Sequence, residues 1–312
     1  MSIVKKIKFL WSFITDPGVR FYYYSAHGKY QDMPDDEYLK MMFKARVKRE
    51  LDLENPVRLS DKLQWLKIYD RNPEYSKMVD KYEIKKIVAD KIGAEHVVPA
   101  LNVWDKAEDI DITNLPDQFV LKCTHDSGGF VICKDKANFD LDAAKEKLGG
   151  RLKRNYFYGD REWPYKNVKP RIIAEPFIDT LGKPDSVEYK LTCYHGKVVF
   201  TTICTGIAHD ELKNRKNDHY DRDWKPMPWY TFYEPSGEVL AKKPEYIDEM
   251  IEMAEKLSEG IPYLRVDFYR HEGRIYFGEV TFYTWGGFLI FEPDEWDIKL
   301  GEMLELPEKR TE

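Results

Sequence analysis

The chain has 312 residues, more than one small hydrophobic core usually contains, so two or three lobes are expected. Charged residues of both signs make up 33% of the sequence and leave a formal charge of −6, which excludes the broad basic field that wholesale nucleic-acid binding requires. The 4 cysteines lack zinc-site spacing and no apolar run approaches the roughly 20 residues of a membrane span, so a soluble cytoplasmic protein with reduced thiols is predicted.

The N-terminal 14 residues combine apolar and basic side chains at helical spacing. The apolar positions are Ile3, Ile7, Leu10 and Ile14. This stretch is too short for a secretory signal, and Asp16-Pro17 follows it instead of small residues, so a mature N-terminus is expected. A helix of this kind lies either on an anionic membrane surface or against the body of the protein, and the second arrangement is favoured.

Helical patterns dominate the sequence up to about residue 75. Pro34 and Asp35 open one helix, and a second begins after Ser60. The apolar stripe predicted for the first of them consists of Leu39, Met42, Phe43 and Val47. No Gly-x-Gly-x-x-Gly follows a strand here, so a Rossmann-type nucleotide site is not indicated. We therefore predict a helical N-terminal region over residues 1–75.

The sequence Asp80-Lys-Tyr-Glu83 matches a capping box, with Asp80 as the N-cap and Glu83 folding back onto it. The pattern predicts a helix that runs to Ile92 and ends at Gly93. Lys81 then lies in the first turn, where free backbone N–H groups, the helix dipole and the ammonium group would attract a phosphate. A solvated lysine is the alternative, and this motif alone favours it.

A glycine-containing loop over residues 125–130 follows a predicted strand over residues 118–124 and precedes a second strand. Gly128 and Gly129 allow positive φ and let backbone N–H groups close over an anion, which Lys122 at the strand end would neutralise. No Gly-Lys-Ser/Thr opens a helix here, so the loop is not a Walker A motif. A plain hairpin turn beside a lysine is the alternative.

Residues 141–154 predict a helix, and a basic and aromatic stretch follows over residues 154–163. Such a stretch is typical of surfaces that stack on a sugar or a base, but a packed helix edge is the favoured interpretation. Residues 171–178 form a predicted strand that Pro176 interrupts, which indicates an edge or connecting segment.

A hairpin is predicted from residues 187–194 and 197–204 around His195-Gly196. Residues 209–229 are polar and contain prolines, a composition typical of a mobile loop over a site or of a surface excursion. An amphipathic helix is predicted over residues 246–257.

Residues 263–283 predict a further hairpin, because β-branched and aromatic residues fill both arms and Gly273 lies between them. A three-residue loop with Gly273 in the left-handed conformation would give one face Arg265, Asp267, Phe277, Glu279 and Thr281. A two-residue turn would separate the two carboxylates onto opposite faces. On the residues alone, a divalent-cation site and a surface ion pair with Arg265 are equally compatible.

Several short motifs follow one another along the chain. They are Asp80-Lys-Tyr-Glu, Phe119-Val-Leu-Lys-Cys-Thr-His-Asp-Ser-Gly-Gly, Ala174-Glu-Pro-Phe-Ile, Glu188-Tyr-Lys, Arg265-Val-Asp-Phe and Gly278-Glu-Val-Thr-Phe. In this order they resemble the ATP-grasp superfamily, and within it the TupA-like branch, named for teichuronopeptide biosynthesis and found among bacterial surface-polysaccharide genes. The resemblance covers residues 59–291 and implies an α+β fold whose lobes, residues 76–180 and 181–312, clasp ATP.

ATP and Mg²⁺ are the cofactors that the resemblance implies. The nucleotide-contacting residues that it implies are Lys81, Lys122, Asp126, Ser127, Gly128, Gly129, Glu175, Phe177, Ile178, Glu188 and Lys190. Within this set, the lysines and the glycine loop would face the phosphates, and residues 175–178 would face the adenine. Asp267 and Glu279 would hold magnesium, while Arg265 and Lys122 would stabilise the transferred phosphoryl group.

The activity implied by the resemblance is that of a carboxylate–amine ligase that acts through an acyl phosphate. The implied partners are a small amine and a glycan or precursor that bears a carboxylate, such as a uronic acid, and no nucleic acid. A cytoplasmic location, with or without membrane contact through residues 1–14, fits these partners. A sugar kinase and a non-catalytic glycan-assembly protein are the alternatives.

Two departures from the family pattern are visible. Many members carry Glu-x-Asn at the metal site, whereas this chain has Glu279-Val-Thr281. The usual N-terminal α/β lobe is replaced by roughly 75 mostly helical residues, a length in the range of a small folding unit. The acceptor site therefore has no template in the family pattern.

Overall fold

The computed structural model describes residues 10–178, 187–205, 215–237 and 243–310. The chain divides into two compact units. The first comprises Met1–Arg71, Phe157–Trp163 and Thr284–Glu312, and the second comprises Asn72–Tyr156 and Pro164–Tyr283. The units group the chain differently from the division at residues 75 and 180, which stays a prediction.

Helices form most of the first unit, as predicted. Numbered along the whole chain, they are α1 (Pro17–Ala26), α2 (Asp35–Val47), α3 (Leu59–Tyr69), α7 (Phe157–Asp160) and α9 (Glu295–Glu302). Helix α1 begins at Pro17, whose ring fixes a helical φ, and the Asp16 carboxylate accepts hydrogen bonds from the backbone N–H groups of Gly18 and Val19. Leu39, Met42 and Phe43 of α2 are buried as predicted.

Asp297 of α9 connects two distant parts of the chain within the first unit. It is buried, and its carboxylate accepts a hydrogen bond of 2.8 Å from the Ser60 backbone N–H and one of 2.6 Å from the Ser60 hydroxyl on α3. Arg49 lies 3.4 Å from the same carboxylate. These charge-assisted bonds join the N-terminal helices to the C-terminal segment.

The second unit contains two antiparallel sheets. The first sheet has the order β1-β4-β2-β3 and consists of β1 (Asn102–Trp104), β2 (Phe119–Cys123), β3 (Phe130–Cys133) and β4 (Ile172–Pro176). The prediction that the strand with Pro176 lies at an edge is wrong, because β4 pairs with both β1 and β2. Pro176 is the last residue of β4, where its missing N–H does not interrupt the ladder.

The second sheet has the order β7-β6-β5-β8-β9. Its strands are β5 (Glu188–Tyr194), β6 (Lys197–Thr205), β7 (Lys216–Asp221), β8 (Tyr263–His271) and β9 (Arg274–Thr281). Both predicted hairpins are present. The loop predicted over residues 209–229 is wrong in part, because residues 216–221 form β7; residues 206–214 lie outside the described residues. The polar composition concealed β7, whose Asn217 and His219 are buried.

Helices cover both sheets of the second unit. They are α4 (Glu74–Val79), α5 (Glu83–Ile92), α6 (Leu141–Leu152) and α8 (Tyr246–Ser258). Ala144 and Leu148 of α6 join the core under β2 and β4. Helix α8 packs on the second sheet, where the Tyr246 hydroxyl lies 2.6 Å from that of Tyr189 on β5. Alternate residues of β5, among them Glu188 and Lys190, therefore face away from α8.

The N-terminal segment is helical over residues 10–15, and residues 1–9 lie outside the described residues. Leu10, Trp11 and Ile14 are 59%, 70% and 64% exposed, so the favoured packing of this segment on the body of the protein is wrong for these side chains. None of the described helices is both long enough and apolar enough to cross a membrane. Contact between residues 1–14 and a membrane surface stays a prediction.

Candidate active site

A cavity of about 480 Å³ lies within the second unit, lined by α5, by strands of both sheets and by the loop between β2 and β3. Most of the predicted nucleotide-contacting residues line it. They are Lys81, Lys122, Ser127, Gly128, Gly129, Glu175, Phe177, Ile178 and Glu188. Glu279 of β9 lines it as well. Residues far apart in sequence therefore meet around one space.

Apolar side chains form the rest of the cavity wall. They include Val79, Ile84, Val98, Val120, Ile132 and Tyr269. Phe177 and Ile178 continue the chain beyond β4 and add to this surface. An apolar wall beside a few convergent charges is typical of a pocket for a ligand with a flat apolar part and an anionic part.

Lys81 precedes α5 and is not in its first turn as predicted. Its ammonium donates a 2.5 Å hydrogen bond to the backbone carbonyl of Asp126, and its backbone N–H donates to the carbonyl of Thr124 at 3.1 Å. The Asp80 carboxylate accepts from the N–H of Glu83, but Glu83 pairs with Arg171 instead of folding back. Lys81 therefore presents its ammonium, and not a free backbone N–H, to the glycine loop.

Arg151 of α6 holds the glycine loop from the other side. Its Nε donates to the Asp126 carboxylate at 2.6 Å, and its Nη2 donates to the Ser127 carbonyl at 2.5 Å. Asp126 is 2% exposed, so its side chain holds the loop in place and does not line the cavity. Gly129 is required here, because an added Cβ would lie 2.5 Å from an Asp126 carboxylate oxygen. Sequence spacing gave no sign of the pairing with Arg151.

Glu175 is a buried carboxylate shared by two lysines. The ammonium groups of Lys122 and Lys85 each lie 2.5 Å from one of its oxygens. Burial alone would raise the pKa of Glu175, but the two lysines outweigh burial and lower that pKa. Burial in turn lowers the pKa of Lys85. Lys85 lines the cavity and was missed, although it lies four residues after Lys81, a spacing that can bring both to one side.

The β8–β9 hairpin brings Asp267 directly opposite Glu279. The predicted three-residue loop is wrong: Glu272 and Gly273 form a two-residue turn with φ of 49° and 79°. The register then shifts by one residue beside Gly278, which returns both carboxylates to one face. The two acids are direct neighbours instead of the diagonal neighbours expected. The same shift pairs Phe277 with Phe268, so Phe277 does not share the face of the acids.

Two cations hold Asp267, which is 1% exposed. Arg265 donates to both of its oxygens, at 2.6 Å and 2.7 Å, and Lys190 donates a further short hydrogen bond. Burial would raise the pKa of Asp267, but Arg265 and Lys190 outweigh it and lower that pKa. Asp267 is therefore ionised in the fold. Thr281 lies opposite Arg265, at the end of the same row of the sheet.

The carboxylate pair fits a magnesium ion bound together with phosphates. Mg²⁺ usually takes one or two protein carboxylates and completes its shell with phosphate oxygens and water. Within the described part of the chain, no group of three or more His, Cys, Asp or Glu side chains is arranged to hold a metal. Asp267 and Glu279 would therefore supply two ligands at most. The Glu279 side chain is 52% exposed, which leaves it accessible to such an ion.

The TupA-like ATP-grasp family matches residues 61–305 of the chain. The chain belongs to this family. The predicted family and its α+β ATP-grasp fold are thus confirmed. No curated protein matches the sequence.

Solved structures that resemble this ATP-grasp protein include ligases. D-alanine–D-alanine ligase from Bacillus anthracis, complexed with ATP, is 16% identical over 71% of this chain and 55% of that chain, with a TM-score of 0.38. The corresponding ligase from Helicobacter pylori is 18% identical over 74% and 61%, with a TM-score of 0.39. The ATP-grasp ligase PsnB, complexed with a precursor variant, Mg and ADP, is 11% identical over 72% and 58%, with a TM-score of 0.39. The chain spans less than two thirds of each.

Proposed function

We propose that this ATP-grasp protein is a ligase that uses ATP to join an amine to a carboxylate. One observation supports the proposal above the others: three lysines, a glycine loop and a carboxylate pair converge on one cavity with an apolar wall. A phosphoryl-transfer site needs positioning and charge neutralisation more than a nucleophilic side chain, and this arrangement provides both.

ATP would lie with its adenine against the apolar wall, beside Phe177 and Ile178, and with its phosphates toward Lys81 and Lys122. The Ser127–Gly129 backbone would close over the phosphates, and Glu188 would face the ribose or the phosphates. Lys122 lies on the cavity wall with 36% of its side chain exposed, so it can leave Glu175 and turn to a phosphate. Lys85 is 17% exposed and would keep Glu175 neutralised when Lys122 turns.

Asp267 and Glu279 would hold magnesium, which supplies positive charge to the phosphates of ATP when bound. Arg265 would then donate to the phosphoryl group under transfer, since its guanidinium already lies 3.4 Å from Glu279. Lys190 would keep Asp267 ionised and oriented. These four side chains form one continuous charged group on the sheet face opposite α8.

The proposed reaction has two steps. A carboxylate oxygen of the first substrate attacks the γ-phosphorus of ATP, the bond to the β-phosphate bridging oxygen breaks, and ADP leaves. The amine nitrogen of the second substrate then attacks the acyl phosphate carbon, the bond from carbon to the phosphate oxygen breaks, and phosphate leaves while the nitrogen loses a proton. Because the family is named for teichuronopeptide biosynthesis, we propose a uronic acid of a bacterial surface polysaccharide as the carboxylate and the cytoplasm as the location.

The test is incubation of the protein with Mg-ATP, a uronic-acid acceptor and a panel of amines. We expect ADP and phosphate in equal amounts and a product whose mass equals both substrates minus water. The double variant Asp267→Asn and Glu279→Gln should abolish both. Release of AMP, or no turnover with any acceptor, contradicts the proposal.

Two other outcomes would identify the alternative functions. A product heavier by one phosphoryl group, formed without an amine, identifies a sugar kinase. Failure to bind Mg-ATP in calorimetry identifies a non-catalytic glycan-assembly protein.

A further inference from the structure

Arg215 is a largely buried arginine that the proposed reaction does not use. It lies immediately before β7, and its side chain is 15% exposed. Its guanidinium reaches back over the second sheet to Cys204 of β6 and Glu188 of β5. Glu188 lines the cavity, so Arg215 lies beside the proposed nucleotide site.

The guanidinium of Arg215 lacks a strong acceptor. It donates to the Cys204 sulfur at 3.2 Å and to the Asn217 amide oxygen at 3.3 Å, and it lies 3.6 Å from the Glu188 carboxylate. Sulfur is a weak acceptor, and the distance to Glu188 exceeds that of a charge-assisted hydrogen bond. Among the described residues, no carboxylate is closer to Arg215 than Glu188.

Arg265 shows what a satisfied arginine of similar exposure looks like in the same sheet. Its side chain is 13% exposed, and it grips Asp267 with two hydrogen bonds of 2.6 Å and 2.7 Å. A guanidinium removed from water normally requires such a fork-shaped carboxylate contact. Arg215 has the same burial without that contact, which indicates that an anionic ligand completes its hydrogen bonding.

A continuous run of alternating charges separates Arg215 from Arg265. From Arg215 it passes through Glu188, Lys190 and Asp267, with the Glu188 carboxylate 2.9 Å from the Lys190 ammonium. Because three charged side chains lie between them, the two arginines serve different anions. Arg265 lies beside the carboxylate pair and belongs to phosphoryl transfer, so the anion at Arg215 belongs to another part of the reaction.

We propose that Arg215 binds a carboxylate of the amine-bearing substrate, which makes that substrate an amino acid. This inference rests on the ligase function proposed above. A simple amine would bring no anion to Arg215, whereas an amino acid carries a carboxylate that matches the guanidinium fork. Tyr233, whose ring centroid lies 4.9 Å from the guanidinium carbon, keeps the fork flat against its face and limits the plane in which the carboxylate can dock.

The test compares amino acids with the amines that remain after their carboxylate is removed. Calorimetry on the protein loaded with Mg²⁺ and a non-hydrolysable ATP analogue would use the twenty common amino acids, with ethylamine as the partner of alanine and 4-aminobutyrate as the partner of glutamate. We expect at least one amino acid to bind and its α-decarboxylated partner to bind about tenfold or more weakly, the range for a charge-assisted hydrogen bond. No binding by any amino acid overturns the inference.

Variants assign the effect to Arg215. Arg215→Gln should weaken the amino acid about tenfold or more, and Arg215→Lys should recover part of the loss because it keeps the charge without the fork. The ATP analogue should bind both variants as it binds the wild type. Arg222→Gln is the matched control, since it removes the same charge from the same end of β7 where Arg222 pairs with Glu255 of α8. Equal weakening of the amino acid by Arg222→Gln, or weaker uronic-acid binding in Arg215→Gln, overturns the inference.

Hydroxylamine separates this inference from the ligase proposal, because it traps an acyl phosphate without an amino acid. Arg215→Gln should form hydroxamate from the uronic acid, Mg-ATP and hydroxylamine at the wild-type rate. Absence of hydroxamate in the wild type contradicts the ligase function, whereas a wild-type amino-acid affinity in Arg215→Gln contradicts only the role of Arg215.

Discussion

At the scale of single residues, the site depends on carboxylates that are buried only because cations accompany them. Glu175 and Asp267 are each held by two cations, and in both cases those cations outweigh burial and lower the carboxylate pKa. A buried charge without its partner costs several kcal/mol, so each group protects the others from desolvation. Sequence analysis found most of these residues by motif, but it could not pair them, since partners such as Glu175 and Lys85 are 90 residues apart.

Glu175→Gln tests this dependence. The substitution leaves Lys85 and Lys122 without a counter-charge, and we expect the free energy of unfolding to fall by about 3 kcal/mol, the usual cost of breaking a buried ion pair. Urea unfolding at neutral pH measures it. Glu234→Gln is the control, because the Glu234 side chain is 73% exposed beside Lys216 and its loss should change stability by less than about 1 kcal/mol. Equal effects of the two substitutions would contradict this account.

Lys67 offers a pH-dependent prediction in the first unit. It is buried on α3, donates to the backbone carbonyls of Asp160 and Gly286 at 2.7 Å and 2.5 Å, and burial lowers its pKa to about 8. Between pH 8 and its ordinary pKa of 10.5, the unfolded chain therefore binds a proton that the folded chain lacks. The penalty for the buried charge is complete below pH 8 and fades as the pH rises through that range.

Lys67→Met should remove this pH dependence. We expect the slope of unfolding free energy against pH, measured between pH 8 and 10, to decrease by about 1.4 kcal/mol per pH unit relative to the wild type. All other titrating groups are common to both proteins and cancel. An unchanged slope would show that Lys67 keeps an ordinary pKa in the fold.

At the scale of elements, the β8–β9 hairpin shows how far sequence reasoning reaches. The arms, the turn position and the side-by-side carboxylates followed from β-branched residues, Gly273 and the alternation of faces. The turn type did not, because one extra residue beside Gly278 compensates for a shorter loop, and glycine fits either register equally well. Strand β7 was missed for a related reason: its buried Asn217 and His219 give no apolar alternation.

Gly278→Ala tests the role of that extra residue. An added Cβ would lie 3.1 Å from the Asp267 carbonyl oxygen, so β9 must move slightly away from β8 where the two acids face each other. We expect the affinity for a magnesium-bound ATP analogue to fall about tenfold or less, with little change in the affinity measured without magnesium. Calorimetry measures both. Gly150→Ala in α6 is the control, because an added Cβ there meets nothing within 4 Å and should stabilise the helix by about 0.5–1 kcal/mol.

At the scale of the whole chain, each unit is assembled from separated segments. The first unit takes α9 from the end of the chain and α7 from its middle, so its core forms only after contacts between distant parts of the sequence have formed. Local patterns predicted its helices correctly because each carries its own caps and apolar stripe. They could not show that Asp297 belongs beside Ser60, since no periodicity relates residues 237 positions apart.

Asp297→Ala should therefore weaken elements at both ends of the chain together. The substitution leaves the Ser60 N–H and hydroxyl without their acceptor and Arg49 with one carboxylate fewer, and we expect a loss of about 3 kcal/mol in unfolding free energy. Hydrogen exchange should become faster in Leu59–Tyr69 and in Glu295–Glu302 by the same free energy, because one buried carboxylate joins them. Asp294→Ala is the matched control on the same segment, since the Asp294 side chain is 72% exposed where it pairs with Arg58. Faster exchange confined to Glu295–Glu302 would mean that α3 keeps its place without Asp297 and that the two ends of the chain are stabilised separately.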